Sequence, residues 1–353
     1  MESLGSPVLA AVFAAAAIAI WIAGVQLARQ TDVLATRLHL GSALGGLILL
    51  ALATNLPEVA IVVSASAAGQ VGVAVGNILG GIAIQTVVLV ALDAGAPGGP
   101  PLTHRAASLV ILLEALAVVA VLAVAVAGTQ LPADLSLGRL APASVLIAAV
   151  WVGSLLLVQR AGRGLPWHEG GEAPGNQEPP HGHSRQAAER EAGRRGVGTG
   201  RAAAAFGAAA VATLVAGVVL ERSGDALAGH LGLSGVLFGA TVLAAATSLP
   251  EVSTGLTSVR QGDYQLAMSD IFGGNAFLPV LFLPATLLSG GAVLPRATAA
   301  DVYLTAVGIV LTLVYAVGLV FRPARRRARM GTDSLIVLVL YAAAVAGLFA
   351  IGG

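Results

Sequence analysis

The sequence predicts an all-α polytopic membrane protein in which ten transmembrane helices form two inverted five-helix repeats. Three observations support this fold class. Of the 353 residues, 57% are hydrophobic and only 10% are charged, a balance typical of polytopic membrane proteins and far from that of a soluble domain. Ten apolar segments are long enough to cross a bilayer. One polar motif occurs twice, once in each half of the chain.

The ten segments divide into five before and five after a polar insert. Each is close to 20 residues or longer, the length that a helix needs to span the hydrocarbon core. We place them at residues 7–28, 41–67, 71–92, 106–127, 141–158, 204–221, 233–259, 264–289, 298–321 and 333–351.

The polar insert covers residues 159–203 and has almost no apolar content. It is rich in Gly, Pro, Glu and Arg, which predicts a linker without stable structure. Its histidines could bind a metal, but we favour a solvated loop because no companion ligand is evident. These histidines are His168, His181 and His183.

The placement of arginine orients the predicted helices. All nineteen basic residues are Arg, and sixteen of them fall in the odd-numbered connections between helices. Because basic residues favour the cytoplasmic side, both termini are predicted to lie outside and the insert inside. With five helices per repeat, the second repeat (residues 204–353) enters the membrane from the face opposite to that used by the first (residues 1–158). The two halves are therefore predicted to be inverted repeats.

The repeated motif occupies equivalent places in the two halves. It reads ATNLPE at residues 53–58 and ATSLPE at residues 246–251, at a constant offset of 193 residues. Each copy places a carboxylate, Glu58 or Glu251, within a long apolar segment. A carboxylate at that depth is costly and usually faces a protein interior or a water-filled cavity. Its recurrence in inverted halves favours a transporter's binding centre over a purely structural role.

The residue types in the motif indicate a cation site. Pro57 and Pro250 lack an N–H, so within a helix each would free the carbonyl group four residues earlier. Thr54 and Thr247 each lie four residues before the glutamate and so share its helix face. Carboxylates, hydroxyls and carbonyls suit a hard cation such as Ca²⁺ or Na⁺, whereas the absence of imidazole and thiolate here argues against zinc or copper. The two carboxylates would repel each other without a cation, so protons could compete with metal ions for them.

A second polar stretch follows each motif copy, at residues 76–85 and 269–278. Its glycines are expected to allow close approach of helices. Its polar side chains are unusual within apolar helices, and Asp270 is a candidate third carboxylate of the site. A further intramembrane acid, Glu114, has no acidic counterpart in the second half, and we favour a structural role for it. The polar residues of the two stretches include Asn77, Gln85, Asp270 and Asn275.

Together these residues resemble the sodium/calcium exchangers of the cation/calcium antiporter superfamily. The resemblance covers residues 40–92 and 233–289, where a segment like ATSLPE is followed by one like GNxxGSN. It implies a cation antiporter in which Glu58 and Glu251 bind Ca²⁺ directly, while the first and sixth predicted helices slide across a rigid core to alternate access. The further ligands that it implies are Thr54, Thr247, Ser248 and the carbonyl groups of Ala51 and Ala244.

The sequence departs from the family at several of the implied ligand positions. Where the family has a further Asn or Asp, this chain has Gln85 in the first half and Leu278 in the second. Asp270 is not an obvious substitute for the missing acid, because eight residues of helix displace it by about 12 Å along the axis. The calcium carboxylates thus remain, while the side-chain sodium sites are eroded. Three positions have also lost the family's serine: Asn55, Gly81 and Gly274.

The sequence therefore predicts an antiporter of the cytoplasmic membrane that exchanges Ca²⁺ or a similar cation against Na⁺ or H⁺. Its partners would be inorganic cations and the lipid bilayer, with no bound cofactor and, at a net charge of +1, no nucleic acid. Two alternatives stay open: a proton-coupled carrier of a different cation or small solute, and a non-transporting membrane protein that retains the fold. No Walker, HExxH or GxSxG motif is present, so an enzyme is not expected.

Overall fold

The chain is built from helices over the part that the computed structural model describes, which is residues 1, 3–37, 51–135, 140–162, 164–166, 198–232 and 242–352. Two short 3-10 helices lie at Leu278–Leu281 and Leu294–Arg296. In chain order the α-helices are α1 (Ser6–Arg37), α2 (Leu56–Ala67), α3 (Val71–Gly95), α4 (Leu102–Ala106), α5 (Leu109–Thr129), α6 (Pro142–Ala161), α7 (Thr199–His230), α8 (Ala244–Thr247), α9 (Leu249–Gln261), α10 (Tyr264–Phe277), α11 (Phe282–Ser289), α12 (Ala299–Phe321) and α13 (Thr332–Gly352).

Seven spans of the described residues are long and apolar enough to cross a membrane. They correspond to α1, α3, α5, α6, α7, the region from α10 through α11, and α12, each of which matches a predicted segment. Two shorter apolar helices, α2 and α13, accompany them. The prediction of a multi-pass membrane protein is therefore confirmed. The predicted segments 41–67 and 233–259 are only partly described, so the count of ten helices stays a prediction.

Several helices extend beyond the apolar segments that predicted them. The first helix continues to Arg37, α6 ends at Ala161, and α7 begins at Thr199. Both ends of the predicted linker, residues 159–203, are therefore helical. Hydropathy marks only the part of a helix that lies in hydrocarbon, so it underestimates helices that continue into the polar interface. The three histidines of the linker lie outside the described residues.

The helix α3 lies at the centre of the molecule. It contacts α2 from its own half and α9, α10, α12 and α13 from the other half. This position fits a helix that is apolar on all sides, because such a helix is stable only when it is buried all round. At Gly255 of α9 an added Cβ atom would lie 2.5 Å from Cδ1 of Leu92. The glycine thus lets α9 approach α3 closely, and the two halves interlock.

The long helices α1 and α7 pack along each other. Each also crosses the motif helix of the opposite half, α1 against α9 and α7 against α2. Glycines permit both crossings: an added Cβ on Gly24 would lie 2.8 Å from Cβ of Pro250, and one on Gly217 would lie 3.2 Å from the carbonyl oxygen of Pro57. Gly24 and Gly217 are themselves 193 residues apart, so both crossings follow the internal repeat.

Connections that carry arginine meet at one end of the molecule. The guanidinium group of Arg326, between α12 and α13, donates to the carbonyl oxygen of Asp93 at 2.5 Å and to its carboxylate at 3.4 Å. Arg322 donates to the carbonyl oxygen of His104 at 3.2 Å. Arg105 donates to backbone carbonyls in the connection after α3. The count of arginines places these same connections on one side of the membrane.

Candidate cation-binding site

Both motif copies lie at a break between two helices. In the first copy a helical stretch, residues 51–54, ends at Asn55, and α2 follows with Pro57 in its first turn. In the second copy α8 ends before Ser248, and α9 follows with Pro250 in its first turn. The sequence placed these prolines within helices, and in the structure each lies in the first turn of a helix that begins at the break. Proline at the first turn of a new helix leaves no hydrogen bond unmade, because N–H groups there have no partner within the helix.

Each break gathers donors around one carbonyl group. The Ala51 oxygen accepts from the backbone N–H of Asn55 at 3.2 Å, from its side-chain Nδ2 at 2.7 Å, and from the Thr54 hydroxyl at 3.3 Å. The Ala244 oxygen accepts from the backbone and hydroxyl of Ser248 at 3.0 and 2.8 Å, and from the preceding threonine at 3.1 Å. The two halves thus build the same local structure from residues that the sequence marked as ligands. Their role as ligands stays a prediction.

The two motif glutamates lie buried at the centre of the site. Glu58 and Glu251 are each 1% exposed and are near enough to repel each other electrostatically. One oxygen of Glu58 accepts a hydrogen bond from Gln85 at 3.3 Å. The other oxygen of Glu58 and both oxygens of Glu251 have no hydrogen-bond partner within the described part of the chain. Two such carboxylates need a bound cation or protons, because an uncompensated buried charge is strongly destabilising.

Each glutamate lies beside a hydroxyl group from the other half of the chain. Thr247 is next to Glu58, and Thr54 is next to Glu251. Neither oxygen of Glu251 receives a hydrogen bond of normal geometry, since the Thr54 hydroxyl donates to the Ala51 carbonyl. Both halves of the chain therefore build the site, because a hydroxyl of each half lies beside a glutamate of the other.

Two amide side chains of the first half join Glu58 in a network. Nε2 of Gln85 donates to Oδ1 of Asn55 at 3.3 Å as well as to Glu58. Both amides are fully buried. The Oε1 atom of Gln85 has no partner among the described residues. Gln85 thus contacts Glu58 and holds one unpartnered oxygen nearby, while its role as a ligand stays a prediction.

Asp270 of α10 also lies in the site. The Thr254 hydroxyl donates to its Oδ2 atom at 2.8 Å, Thr54 lies beside it, and it is close enough to Glu251 for electrostatic repulsion. Asp270 lies eight residues before Leu278 in the sequence, yet it is near Glu251, because α9, which carries Glu251, packs against α10. Leu278 is fully buried and offers no side-chain oxygen.

The remaining accessory candidates divide into two groups. Asn275 donates to the Thr86 hydroxyl at 3.0 Å and so joins α10 to α3, while Asn77 is buried and has no described contact with the glutamates. A Cβ atom added at Gly81 would meet nothing within 4 Å, whereas one at Gly274 would meet Asn55. These residues lie around the site without adding a carboxylate or hydroxyl to it.

The sequence reasoning missed Thr254 as a member of the site. It follows Glu251 by three residues, a spacing that places both on one face of α9, and it is 6% exposed. A polar residue at that spacing from a motif glutamate is the signal that could have identified it.

Glu114 lines a cavity whose walls include Ala51 but neither of the motif glutamates. Its Oε2 atom accepts a hydrogen bond from Ser269 at 2.6 Å, which ties α5 to α10. The cavity encloses about 580 Å³ including its open mouth, and its other walls include Trp151, Phe272 and Phe277. The bond to Ser269 supports the structural role that the sequence favours for Glu114.

Oxygen atoms alone supply the ligands that this site offers. Across the described ranges, no three His, Cys, Asp or Glu side chains are grouped closely enough to hold a metal ion by themselves. A cation at Glu58 and Glu251 would therefore also need the hydroxyl, carbonyl and amide oxygens around them. Such a set suits Ca²⁺ or Na⁺ and does not suit metals that prefer nitrogen or sulfur.

Paired helix breaks that carry buried carboxylates, one in each half of a multi-pass membrane protein, are characteristic of secondary transporters. The chain belongs to the sodium/calcium exchanger family, because the model of the sodium/calcium exchanger protein family matches residues 8–159 and 201–350. The resemblance that the motifs indicated is thereby confirmed.

Individual relatives show how far the likeness extends. The inner membrane protein YrbG of Escherichia coli (strain K12) is 35% identical over 98 residues, which is 27% of this chain and 30% of YrbG. The match thus spans less than a third of that relative. A structure of the sodium-calcium exchanger NCX_Mj is 16% identical with a TM-score of 0.60 and covers 97% of this chain and 99% of its own. A structure of the H⁺/Ca²⁺ exchanger CAX is 14% identical with a TM-score of 0.61, and the match covers 96% of this chain and 88% of CAX. At these identities the structures establish the exchanger fold alone.

Proposed function

We propose that the chain is a secondary active antiporter that exchanges Ca²⁺ or a similar cation against Na⁺ or H⁺ by alternating access. The observation that carries the proposal is the set of three buried carboxylate oxygens, one on Glu58 and two on Glu251, without a hydrogen-bond partner among the described residues. Membership of the exchanger family supports it. The transported ions are cargo, and the proposal includes no resident cofactor.

In this proposal Glu58 and Glu251 hold Ca²⁺ between them. Two carboxylates balance its double charge, and the adjacent Thr54 and Thr247 hydroxyls, with Ser248, Asn55, Gln85 and the carbonyls of Ala51 and Ala244, supply neutral oxygens. Without Ca²⁺ the same carboxylates must take up other positive charges, since both cannot stay ionised and unpaired in a buried site. Because the competing ions use shared oxygens, they bind in turn, and this mutual exclusion produces exchange.

The long helices α1 and α7 are the proposed moving elements. They pack on each other and cross the motif helices at Gly24 and Gly217, where the opposing surface is a proline. Small residues at a crossing allow one helix to slide on another with little steric resistance. Sliding there would open the glutamates to one side of the membrane and close them to the other.

The counter-ion distinguishes two forms of the proposal. Sodium coupling would resemble the exchange named for NCX_Mj, and proton coupling would resemble that named for CAX. The fold of this chain matches the two structures about equally well, with TM-scores of 0.60 and 0.61. Leu278 offers no side-chain oxygen at the position where the resemblance implies a cation ligand, so a sodium site in this chain would have to use other oxygens. Protons need no coordination shell and could be carried by Glu58 and Glu251 themselves.

We place the protein in the cytoplasmic membrane with both termini outside. The charge distribution supports this orientation, and the relative YrbG is an inner membrane protein.

Uptake into proteoliposomes tests the function directly. We would load vesicles with Na⁺, or acidify their interior, and measure entry of radiolabelled Ca²⁺ for the wild type and for Glu58→Gln and Glu251→Gln. Uptake under one gradient, lost in both variants, is the expected result. The matched control is Glu114→Gln, a third intramembrane glutamate that is 9% exposed and hydrogen-bonded to Ser269, which should retain uptake. Absence of wild-type uptake under both gradients would refute the proposal.

A further inference from the structure

Asp270 is a buried acid that has no role so far in the exchange proposed at Glu58 and Glu251. It is 2% exposed, and its Oδ2 atom accepts a hydrogen bond from Thr254 at 2.8 Å. Its Oδ1 atom has no hydrogen-bond partner among the described residues. Among the described residues, no arginine forms an ion pair with Asp270; Arg326 pairs instead with Asp93. Asp270 therefore presents an unpaired buried oxygen in the same way as the glutamates.

Asp270 has no acidic counterpart in the first half of the chain. It corresponds to Asn77 through the offset of 193 residues, so the two halves differ there by a carboxylate against an amide. The position at which the resemblance implies an acid is Leu278, which is fully buried and apolar.

The surroundings of Asp270 fit a small cation better than a structural hydrogen bond. Thr54 lies beside both Asp270 and Glu251, and Thr254 lies on the other side of the carboxylate. A single hydrogen bond from Thr254 satisfies one oxygen and leaves the net charge in place. Burial of that charge is costly without a positive partner. The unpaired Oδ1, the two hydroxyl oxygens and the nearby Glu251 supply oxygens for such a partner.

We infer that Asp270, Thr54 and Thr254 form a second cation subsite, adjacent to the Glu58–Glu251 pair and selective for Na⁺. The inference rests on the proposed antiport function and names the place at which its counter-ion binds. One carboxylate and two hydroxyls balance a single charge, whereas Ca²⁺ takes six to eight oxygens and prefers more carboxylates. Because Thr54 lies between Asp270 and Glu251, an ion in one subsite changes the ligands available to the other.

The first test is binding measured without transport. Purified protein in detergent would be unfolded thermally in choline chloride, in NaCl and in CaCl₂, because an ion that binds only the folded state raises the melting temperature. We expect both Na⁺ and Ca²⁺ to stabilise the wild type. Asp270→Asn and Thr254→Val should lose the response to Na⁺ and keep the response to Ca²⁺. Ser269→Ala, next to Asp270 and bonded to Glu114, is the matched control and should keep both.

The second test is the sodium dependence of Ca²⁺ uptake in proteoliposomes. Asp270→Asn should raise the half-saturating Na⁺ concentration by about tenfold or more, the effect of losing a charged partner, at an unchanged KM for Ca²⁺. A wild type that responds to Ca²⁺ but not to Na⁺ would overturn the subsite and leave proton-coupled antiport standing. Variants whose Na⁺ response equals that of the wild type would also overturn it. A wild type with neither Ca²⁺ binding nor uptake would instead refute the proposed function.

Discussion

The side chain of Asn55 occupies the space that a side chain at position 274 would need. A Cβ atom added to Gly274 would lie 2.8 Å from Nδ2 of Asn55. The family resemblance implies serine at both positions. Asn55 is larger than serine and Gly274 is smaller, so the volume added at one position is removed at the other. These two departures from the family pattern therefore form one coupled change.

Restoring serine at only one of these positions should destabilise the protein. The Asn55 amide is held by bonds to Ala51 at 2.7 Å and to Gln85 at 3.3 Å, so it cannot move freely away from the new side chain in Gly274→Ser. The double variant N55S/G274S removes the collision. Thermal unfolding of the wild type, both single variants and the double variant should give a favourable coupling of about 0.5–3 kcal/mol, as for residues in contact. Additive effects would contradict the compensation.

Gly81→Ser should be tolerated, in contrast to Gly274→Ser. A Cβ atom at Gly81 would meet no atom within 4 Å, although the residue lies within the central helix α3. The serine would restore a hydroxyl that the resemblance associates with Na⁺ binding. We expect an unchanged melting temperature and a lower half-saturating Na⁺ concentration in uptake assays. A loss of stability comparable to that of Gly274→Ser would show that the open space is not available.

Bulk at the two glycine crossings should slow exchange without weakening Ca²⁺ binding. Gly24→Ala would place a methyl group 2.8 Å from Cβ of Pro250, and Gly217→Ala would place one 3.2 Å from Cβ of Ala60. Both changes obstruct the sliding proposed for α1 and α7. Uptake rates should fall while the stabilisation by CaCl₂ persists.

A matched control for these crossings lies on α7 itself. At Gly207 an added Cβ atom would meet nothing within 4 Å, so Gly207→Ala should exchange at the wild-type rate. If Gly24→Ala and Gly217→Ala also exchange at that rate, the crossings are static contacts and the moving elements lie elsewhere.

Arg326 should contribute to stability in a way that its neighbour Arg325 does not. Its guanidinium group binds the carboxylate and carbonyl of Asp93 and the carbonyl of Ala96. Arg325 is exposed. Loss of hydrogen bonds to a charged group typically costs about 1.5–3 kcal/mol, so Arg326→Ala should unfold at a lower temperature than Arg325→Ala. Equal melting temperatures would mean that both arginines serve only to orient the chain.

The internal repeat made the location of the site predictable. Two copies of one motif in an inverted arrangement build the same local structure, so the positions of Glu58 and Glu251 and the gathering of donors at Ala51 and Ala244 follow from the pattern. The break at Asn55 did not follow, because a proline that begins a new helix and one that interrupts a helix leave the same sequence pattern. Hydropathy could not distinguish them either, since both halves of the broken segment are apolar.

The features that could not be predicted from the sequence depend on contacts between helices. Asp270 lies in α10 and Leu278 in the 3-10 helix that follows it, but the proximity of Asp270 to Glu251 depends on how α9 packs against α10. The exchange of volume between Asn55 and Gly274 likewise involves two helices from opposite halves. A single sequence carries no direct record of such pairs, because packing is decided by the whole set of neighbours.

The placement of Thr247 beside Glu58 constrains how the protein can be synthesised. While only residues 1–158 have been synthesised, Glu58 still lacks the Thr247 hydroxyl and the Glu251 carboxylate that lie beside it in the folded chain. An acidic side chain in that condition is poorly tolerated in lipid. We therefore expect the newly inserted first half to be less stable alone than within the full chain. A chain truncated in the linker would present this acid to the proteases that survey the membrane.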